Sequence, residues 1–332
     1  MTTKARKFNS AWSKATKQYS IFLVLAVLFL ICSFTNKNFL SSGNLLNISR
    51  QISVTTILAF GQTILIICGM LDLSDSAVLA LSGVFAVSAY KASHSLLLAF
   101  VVGLLTGVVC NLINAVMVAS FRAPAFIATL AMQAMARGMA LFYTKGQNIL
   151  EIDGFTVFGQ GSVLGIPIPV IFLLITLAIT WYLLNQTAFG RSMFAIGGNE
   201  EASIASGINT KKQKYIAFVV NGLMVGLAGI LFMSRVNAGL PNGAVNYETQ
   251  AITATIIGGT SFTGGIGTAS GTIAGAFIVG FLDNIMNLSG VDSYIQQIVR
   301  GAIIAVAVIY DIQAKNHRVK SHLGNISEKS ES

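Results

Sequence analysis

Ionisable side chains are rare inside the long apolar stretches of this sequence. Asp283, which is followed by Asn284, lies in one such stretch, and Arg137 lies in another. An ionisable residue in a hydrophobic environment is a candidate for a transport pathway, and it usually has a polar partner. Asp283 and Asn284 are therefore candidates either for a pathway or for an interhelical bond, and an Arg137–Asp283 pair is conceivable.

Two further carboxylates, Asp72 and Asp75, lie at the end of another apolar stretch, together with Ser74. Exposure to water at a helix end is the simplest explanation of such residues, although Asp72 and Ser74 are also candidate pathway residues. Three amides lie inside apolar stretches, where helix-to-helix hydrogen bonds are the usual role of such side chains. They are Gln62, Gln133 and Asn221.

Two glycine pairs, Gly258-Gly259 and Gly264-Gly265, interrupt an apolar stretch. Irregular backbone at membrane depth is tolerated only where it is buried in protein or lines a water-filled cavity. The two pairs therefore predict one broken or re-entrant segment beside a pathway, where Thr260 and Ser261 offer hydroxyl groups.

Other glycines recur at intervals of four, which places them on one face of a helix and lets another helix approach closely. This spacing predicts helix packing for Gly267, Gly271 and Gly275, and for the pairs Gly103/Gly107 and Gly222/Gly226. The sequence contains neither the Gly-x-x-x-x-Gly-Lys-Ser/Thr motif nor the Gly-x-Gly-x-x-Gly motif of a dinucleotide fold. We therefore expect no nucleotide site, no catalytic residue and no enzymatic activity in this chain.

The polar segment 187–214 contains the signals of one small helix. Asn199 is a good N-cap, Glu200 and Glu201 follow in the first turn, and Gly207 suits a left-handed C-terminal position. A helix of about two turns is marginal alone, so it needs a surface to pack against. That surface is either the helical bundle of the chain itself or a groove on a cytosolic partner.

The composition excludes a soluble globular protein. Hydrophobic residues make up 54% of the chain and charged residues 10%, against roughly 25% charged residues in soluble domains. The sequence therefore predicts an all-α polytopic membrane protein with about ten transmembrane helices. The ten apolar runs lie at about 19–34, 52–71, 77–93, 95–119, 124–143, 164–185, 215–234, 250–269, 270–288 and 295–311.

The distribution of basic residues predicts how these helices are oriented. With ten spans and the N-terminus inside, the inner segments hold 14 of the 21 Lys and Arg residues and the outer segments hold 5. This bias follows the positive-inside rule, so both termini are predicted to be cytoplasmic. The expected organisation is a tail at 1–19, a transmembrane domain at 20–311 that includes the cytoplasmic loop 187–214, and a tail at 312–332.

Two other classes of binding site are not expected. The net charge of +9 does not indicate a nucleic-acid partner, because the basic residues lie in the termini and one loop rather than on one face of a folded domain. The three cysteines lie inside apolar runs and the three histidines are scattered, so neither set has the spacing of a metal site.

The segment 189–209 closely resembles the coupling loop of the monosaccharide, ribose-type ABC-importer permeases. The likeness covers residues 20–311. Two departures from the family pattern are Asp75-Ser76, where members usually carry Val-Gly, and Thr249-Gln250, where they usually carry Leu-Asp. The other matching motifs follow in order at 71–74, 78–83, 124–130, 137–138, 144–147, 247–252, 258–267 and 305–311.

This resemblance implies the permease subunit of an ATP-driven ABC importer for a monosaccharide, ribose or a similar sugar, in the bacterial inner membrane. It implies four partners: a second permease copy in a homodimer, a cytoplasmic ABC ATPase that uses ATP and Mg, a periplasmic or extracellular sugar-binding protein, and membrane lipid. No cofactor is expected on this chain itself. The residues that would couple to the ATPase are Gly190, Arg191, Asn199, Glu200, Glu201, Ala202, Ser206 and Gly207.

Two other functions fit a polytopic membrane protein. A stand-alone secondary sugar transporter would carry carboxylates near the membrane midplane, and only Asp283 is a candidate. A membrane scaffold or receptor would need no pathway at all. A pathway for a neutral sugar needs hydroxyl and amide groups with weak affinity rather than charges, so the scarcity of buried charge favours the importer.

Overall fold

A computed structural model describes residues 20–309 and Gln313 of the chain. These residues are mainly α-helical, as predicted. Two short strands, β1 (Ser162–Val163) and β2 (Ile166–Pro167), form an antiparallel hairpin in the connection before α7. The helices are α1 (Ser20–Thr35), α2 (Ser42–Ile67), α3 (Asp75–Ser93), α4 (Leu96–Ala115, continued by a π-helical turn at Val116–Ser120), α5 (Ala125–Thr144), α6 (Val157–Gln160, preceded by a 3-10 turn at Asp153–Thr156), α7 (Ile168–Gln186), α8 (Ala188–Gly198), α9 (Glu200–Ala205), α10 (Thr210–Val236), α11 (Tyr247–Ile257), α12 (Ala269–Leu288) and α13 (Ser293–Ile309).

Seven of the described helices are long and apolar enough to cross a membrane, namely α2, α3, α4 with its π-helical turn, α5, α7, α10 and α12. The apolar helices α1 and α13 are shorter, and α11 has 11 residues. An all-α polytopic membrane protein is thereby confirmed, whereas the number of ten spans and the cytoplasmic termini stay predictions. The tails predicted at 1–19 and 312–332 lie outside the described residues apart from Gln313, and so does Asp311.

Helix α10 lies at the centre of the bundle, where it contacts α2, α3 and α4. Its approach to α4 depends on glycine. A Cβ atom added at Gly107 on α4 would lie 2.2 Å from the backbone oxygen of Gly222 on α10, and one added at Gly226 would lie 2.7 Å from the oxygen of Gly103. The glycine pairs noted in the sequence therefore face each other across one helix contact.

The chain breaks between α11 and α12, where the two glycine pairs occur. Residues 258–268 form an irregular connection in which Gly264 and Gly265 have φ angles of +85° and +76°, a region that favours glycine. The Gly265 N–H donates to the backbone oxygen of Ile67 at the end of α2, at 2.9 Å. The break is here called the 258–268 loop. Its residues Gly258, Thr260, Ser261, Gly264 and Gly267 are buried against the bundle, whereas Phe262 and Ile266 are exposed.

The segment 187–214 contains two helices before α10 rather than the single small one that the sequence predicts. The added helix is α8, which begins where the Thr187 hydroxyl accepts from the Gly190 N–H at 3.1 Å. Its buried apolar residues Met193 and Ile196 have helical spacing. The sequence did not predict this helix, because α8 contains three glycines and glycine is a poor helix former.

We predict that Gly107→Ala destabilises the bundle, because the new methyl group overlaps the α10 backbone. Overpacking of this kind costs about 1–3 kcal/mol, which should lower the thermal unfolding midpoint of the purified chain by several degrees. Gly138→Ala on α5 is the matched control, since an added Cβ there meets nothing within 4 Å. Equal midpoints for the two variants would contradict the close α4–α10 contact.

Candidate functional site

Asp72 and Asp75 lie in a polar cluster inside the bundle. The Asp72 carboxylate accepts from the backbone N–H and the hydroxyl of Ser74, at 2.7 and 2.6 Å. The Asn221 amide donates to Asp72 at 3.1 Å and to Asp75 at 2.9 Å, and the Gln62 amide donates to Asp75 at 2.9 Å. Asn114 on α4 adds a donor to Asp72 at 3.3 Å. We call Gln62, Asp72, Ser74, Asp75, Asn114 and Asn221 the polar cluster.

This cluster corrects one expectation of the sequence analysis. Asp72 and Asp75 are 0% exposed, so water at a helix end does not account for them. The connection between α2 and α3 instead turns into the bundle, where amides from α2, α4 and α10 satisfy both carboxylates. The predicted interhelical role of Gln62 and Asn221 is confirmed. Asp72 and Ser74 bond within this network, and their part in a pathway stays a prediction.

Asp283 and Asn284 also bond to neighbouring helices. The Arg300 guanidinium on α13 donates to Asp283 at 2.8 Å, and Asn284 exchanges hydrogen bonds with Asn44 on α2. The conceivable Arg137–Asp283 pair is therefore wrong. Arg137 instead donates from Nη1 to the backbone oxygens of Pro241 and Gly243, at 2.7 and 3.0 Å, because the α10–α11 connection rather than α12 lies beside this part of α5.

Thr260 and Ser261 lie in the 258–268 loop and are 1% and 5% exposed. The Ser261 hydroxyl lies 3.0 Å from that of Thr263, and the Thr260 hydroxyl has no hydrogen-bond partner among the described residues. Both hydroxyls are enclosed by protein. Nearby, Cβ atoms added at Gly271 and Gly275 would lie 2.0 Å from the backbone oxygens of Gly258 and Ala254, and one at Gly267 would lie 2.7 Å from Ile67. These glycines therefore pack α12 against α11 and α2.

Helix α9 has the capping that its residues predict. The Asn199 side chain accepts from the Ala202 N–H at 2.9 Å, and Gly207 has a φ angle of +83°. Glu200 pairs with Lys214 at the start of α10 at 2.6 Å, a contact that the sequence did not indicate. Most of α9 is exposed, including Ile204 at 56%.

Of the remaining residues predicted to couple to the ATPase, one packs inside the chain and four are exposed. A Cβ atom added at Gly190 would lie 2.3 Å from the Leu184 oxygen, so this glycine lets α8 fold back on α7. The side chains of Arg191, Glu201, Ala202 and Ser206 are exposed, and the Ser206 hydroxyl donates to the Ala202 oxygen at 2.9 Å.

The end of α8 touches both the end of α2 and the 258–268 loop. A Cβ atom added at Gly197 would lie 1.7 Å from the Ile67 oxygen and 2.7 Å from the Gly265 nitrogen. The same Gly265 nitrogen donates to Ile67. These three backbones meet with no side chain between them, and we call Gly197, Ile67 and Gly265 the glycine joint. The end of α8 is therefore in direct backbone contact with the 258–268 loop.

A polar cavity of about 350 Å³ opens between α3, α5 and the start of α11. The sequence gives no local signal for this cavity, because its residues come from three distant segments. The sequence predicts an interhelical bond for Gln133. In the structure, the Gln133 amide makes no hydrogen bond within the described chain and faces this cavity. The lining residues are Ser76, Leu130, Gln133, Ala134, Arg137, Val245, Asn246 and Glu248.

Comparisons with known proteins find relatives that match the chain over most of its length. The ribose import permease RbsC of Haemophilus influenzae is 42% identical to the chain over 295 residues, which cover 87% of this chain and 91% of the relative. The RbsC protein of Escherichia coli K12 is 40% identical over 320 residues, 94% and 99% of the two chains. The L-arabinose permease AraH of Escherichia coli K12 is 36% identical over 308 residues, 92% and 94%.

No solved structure matches the chain. The family described as "Branched-chain amino acid transport system / permease component" matches residues 44–308. Because this match and the relatives cover nearly the whole chain, the chain belongs to this family of transport-system permease components.

Proposed function

We propose that this chain is the membrane-spanning permease subunit of an ATP-driven ABC importer for a monosaccharide, ribose or a similar sugar, in the bacterial inner membrane. The observation that carries the proposal is the 40% identity to a ribose import permease across 94% of this chain and 99% of the relative. The first relatives are named as ribose import permeases and an L-arabinose transport-system permease.

The chain works as one of two copies in a homodimer, with ten spans and both termini in the cytoplasm. The apolar outer faces of the described chain support a lipid environment and contact with a second copy. The most hydrophobic 18-residue windows of α4, α5 and α7 are each only 28% buried. Lipid and the second copy would cover these faces, because apolar surface of this extent is unfavourable in water.

A separate cytoplasmic ATPase supplies ATP hydrolysis, with Mg, and contacts α9 and the exposed residues of α8. Three features support this docking: the exposed side chain of Ile204, the fixed N-cap at Asn199, and the ion pair that holds α9 to α10. When the ATPase moves α8 and α9, the glycine joint passes this displacement to the 258–268 loop, which lies beside the pathway. A periplasmic or extracellular sugar-binding protein delivers the cargo on the opposite side.

The secondary-transporter alternative has less support. A proton-coupled carrier needs a carboxylate that exchanges its proton during transport. Asp283, the midplane candidate, is held by Arg300 at 2.8 Å and is 2% exposed. The Asp283 carboxylate thus has a fixed ion-pair partner and little access to water, which is not the arrangement of a group that exchanges protons with both sides.

Reconstitution in proteoliposomes tests the proposed function directly. With its cognate ATPase and a sugar-loaded binding protein, the full chain should accumulate radiolabelled ribose only when ATP is present on the side of the ATPase. Omission of either the ATPase or ATP should stop uptake. Ribose accumulation that continues without the ATPase and follows a pH gradient would overturn the proposal in favour of a secondary transporter.

The Glu200–Lys214 pair provides a charge-swap test of α9. We predict that Glu200→Lys and Lys214→Glu each lower co-purification of the ATPase by about tenfold, equivalent to ~1.4 kcal/mol, because each breaks the contact that positions α9. The double variant should recover most of the binding, since it restores the pair in reverse.

The control for the charge swap is Glu151→Lys, which reverses an exposed carboxylate outside segment 187–214. Normal co-purification of both single variants would contradict docking through α9. A double variant as weak as the singles would contradict the positioning role of the pair.

The glycine joint is tested by comparing two neighbouring positions. Gly197→Ala places a methyl group against the Ile67 backbone, whereas Gly198→Ala meets nothing within 4 Å. We predict that Gly197→Ala still co-purifies with the ATPase but loses most ribose uptake, and that Gly198→Ala keeps both. Full uptake by Gly197→Ala would exclude the joint as the connection between α8 and the 258–268 loop.

A further inference from the structure

The polar cavity lies between two helix starts and one continuous helix. Ser76 lies at the start of α3, Asn246 and Glu248 lie at the start of α11, and α5 forms the third wall. Its volume of about 350 Å³ is at the lower end of the range for small-molecule pockets. The cavity is therefore of a size for one small polar molecule.

Glu248 places a buried carboxylate in the wall of this cavity. Its side chain is 93% buried, and Oε2 has no hydrogen-bond partner among the described residues. The nearest donor to Oε1 is the Thr249 hydroxyl, at 3.5 Å. A buried polar atom without a partner is unfavourable and needs an explanation. A ligand that brings hydroxyl donors to Glu248 provides one.

The other polar groups of the wall are also available to a ligand. The side chains of Gln133 and Asn246 make no hydrogen bond within the described chain, and both line the cavity. The Arg137 guanidinium is held in place by its two bonds to backbone oxygens of the α10–α11 connection. Its positive charge offsets that of Glu248, so the wall as a whole presents donors and acceptors with little net charge.

We propose that this cavity binds the transported monosaccharide, with Glu248 accepting from sugar hydroxyl groups and the amides of Gln133 and Asn246 completing the polar contacts. Leu130, Ala134 and Val245 present apolar surface to the C–H face of the sugar ring. The inference rests on the proposed function and names the part of the pathway that contacts the cargo.

A neutral polyol suits this wall better than a cation or an amino acid. Among the described residues, no group of three His, Cys, Asp or Glu side chains is placed to hold a metal ion. An amino acid would use Glu248 for its ammonium group and Arg137 for its carboxylate. The side-chain amides of Gln133 and Asn246, which make no hydrogen bond among the described residues, are neutral and offer both donors and acceptors, and this favours hydroxyl recognition.

Protection of a cysteine tests the site in the purified full-length chain. In Gln133→Cys, ribose should slow labelling by N-ethylmaleimide several-fold as its concentration rises. The native cysteines are buried, so the background should be low. Met135→Cys is the matched control, since it lies on the same helix with an exposed side chain outside the cavity. Sucrose at equal osmolarity is the control for osmotic effects and should protect neither variant.

Adding Glu248→Gln to the Gln133→Cys background should raise the ribose concentration needed for half-protection by roughly tenfold, since hydrogen bonds to charged groups are the stronger ones. Absence of protection by ribose would overturn the site, and so would protection by leucine that equals or exceeds that by ribose. Equal slowing of Met135→Cys would overturn it as well.

This test is independent of the ATPase. Ribose uptake by the complete importer without protection of Gln133→Cys would remove the site and leave the proposed function intact. Protection without ATP-driven uptake would support the site and overturn the proposed function.

Discussion

Two buried carboxylates that share one amide donor hold the centre of this bundle. Asn221 on α10 donates to both Asp72 and Asp75, and Gln62 and Asn114 add donors from α2 and α4. Buried charge without hydrogen bonds costs several kcal/mol. The helices α2, α4 and α10 must therefore keep their positions around the start of α3. The cluster fixes where α3 begins, and the start of α3 in turn places Ser76 in the wall of the polar cavity. One of the two departures from the family pattern, Asp75, is thus a structural member of the core.

The glycine contacts connect the surface of the protein with its interior. α9 is exposed and held to α10 by one ion pair, α8 meets the 258–268 loop at the glycine joint, and that loop connects α11 to α12. The first turn of α11 carries Glu248 into the cavity. Packed backbones have few intermediate arrangements, so a displacement at α8 is transmitted through these contacts instead of being absorbed by side chains.

Local features were predictable from the sequence and distant contacts were not. The cap at Asn199, the turn at Gly207 and the break near Gly258 depend on neighbouring residues, and each occurs where its residues indicate. The burial of Asp72 was not predictable, because nothing local indicates that the α2–α3 connection turns into the bundle. Gln62 and Gln133 look alike in sequence, yet one bonds within the polar cluster and the other faces the cavity. The difference arises from helices that meet only in the folded chain.

If α8 and α9 couple a partner ATPase to the pathway as proposed, nucleotide on that ATPase changes which side of the membrane reaches the polar cavity. Sealed proteoliposomes that hold the Gln133→Cys importer, treated with a membrane-impermeant thiol reagent on one side or the other, measure this directly. The account predicts that the side from which the cysteine is labelled switches when the importer is trapped with a non-hydrolysable ATP analogue. Labelling from the same side in both states would contradict it.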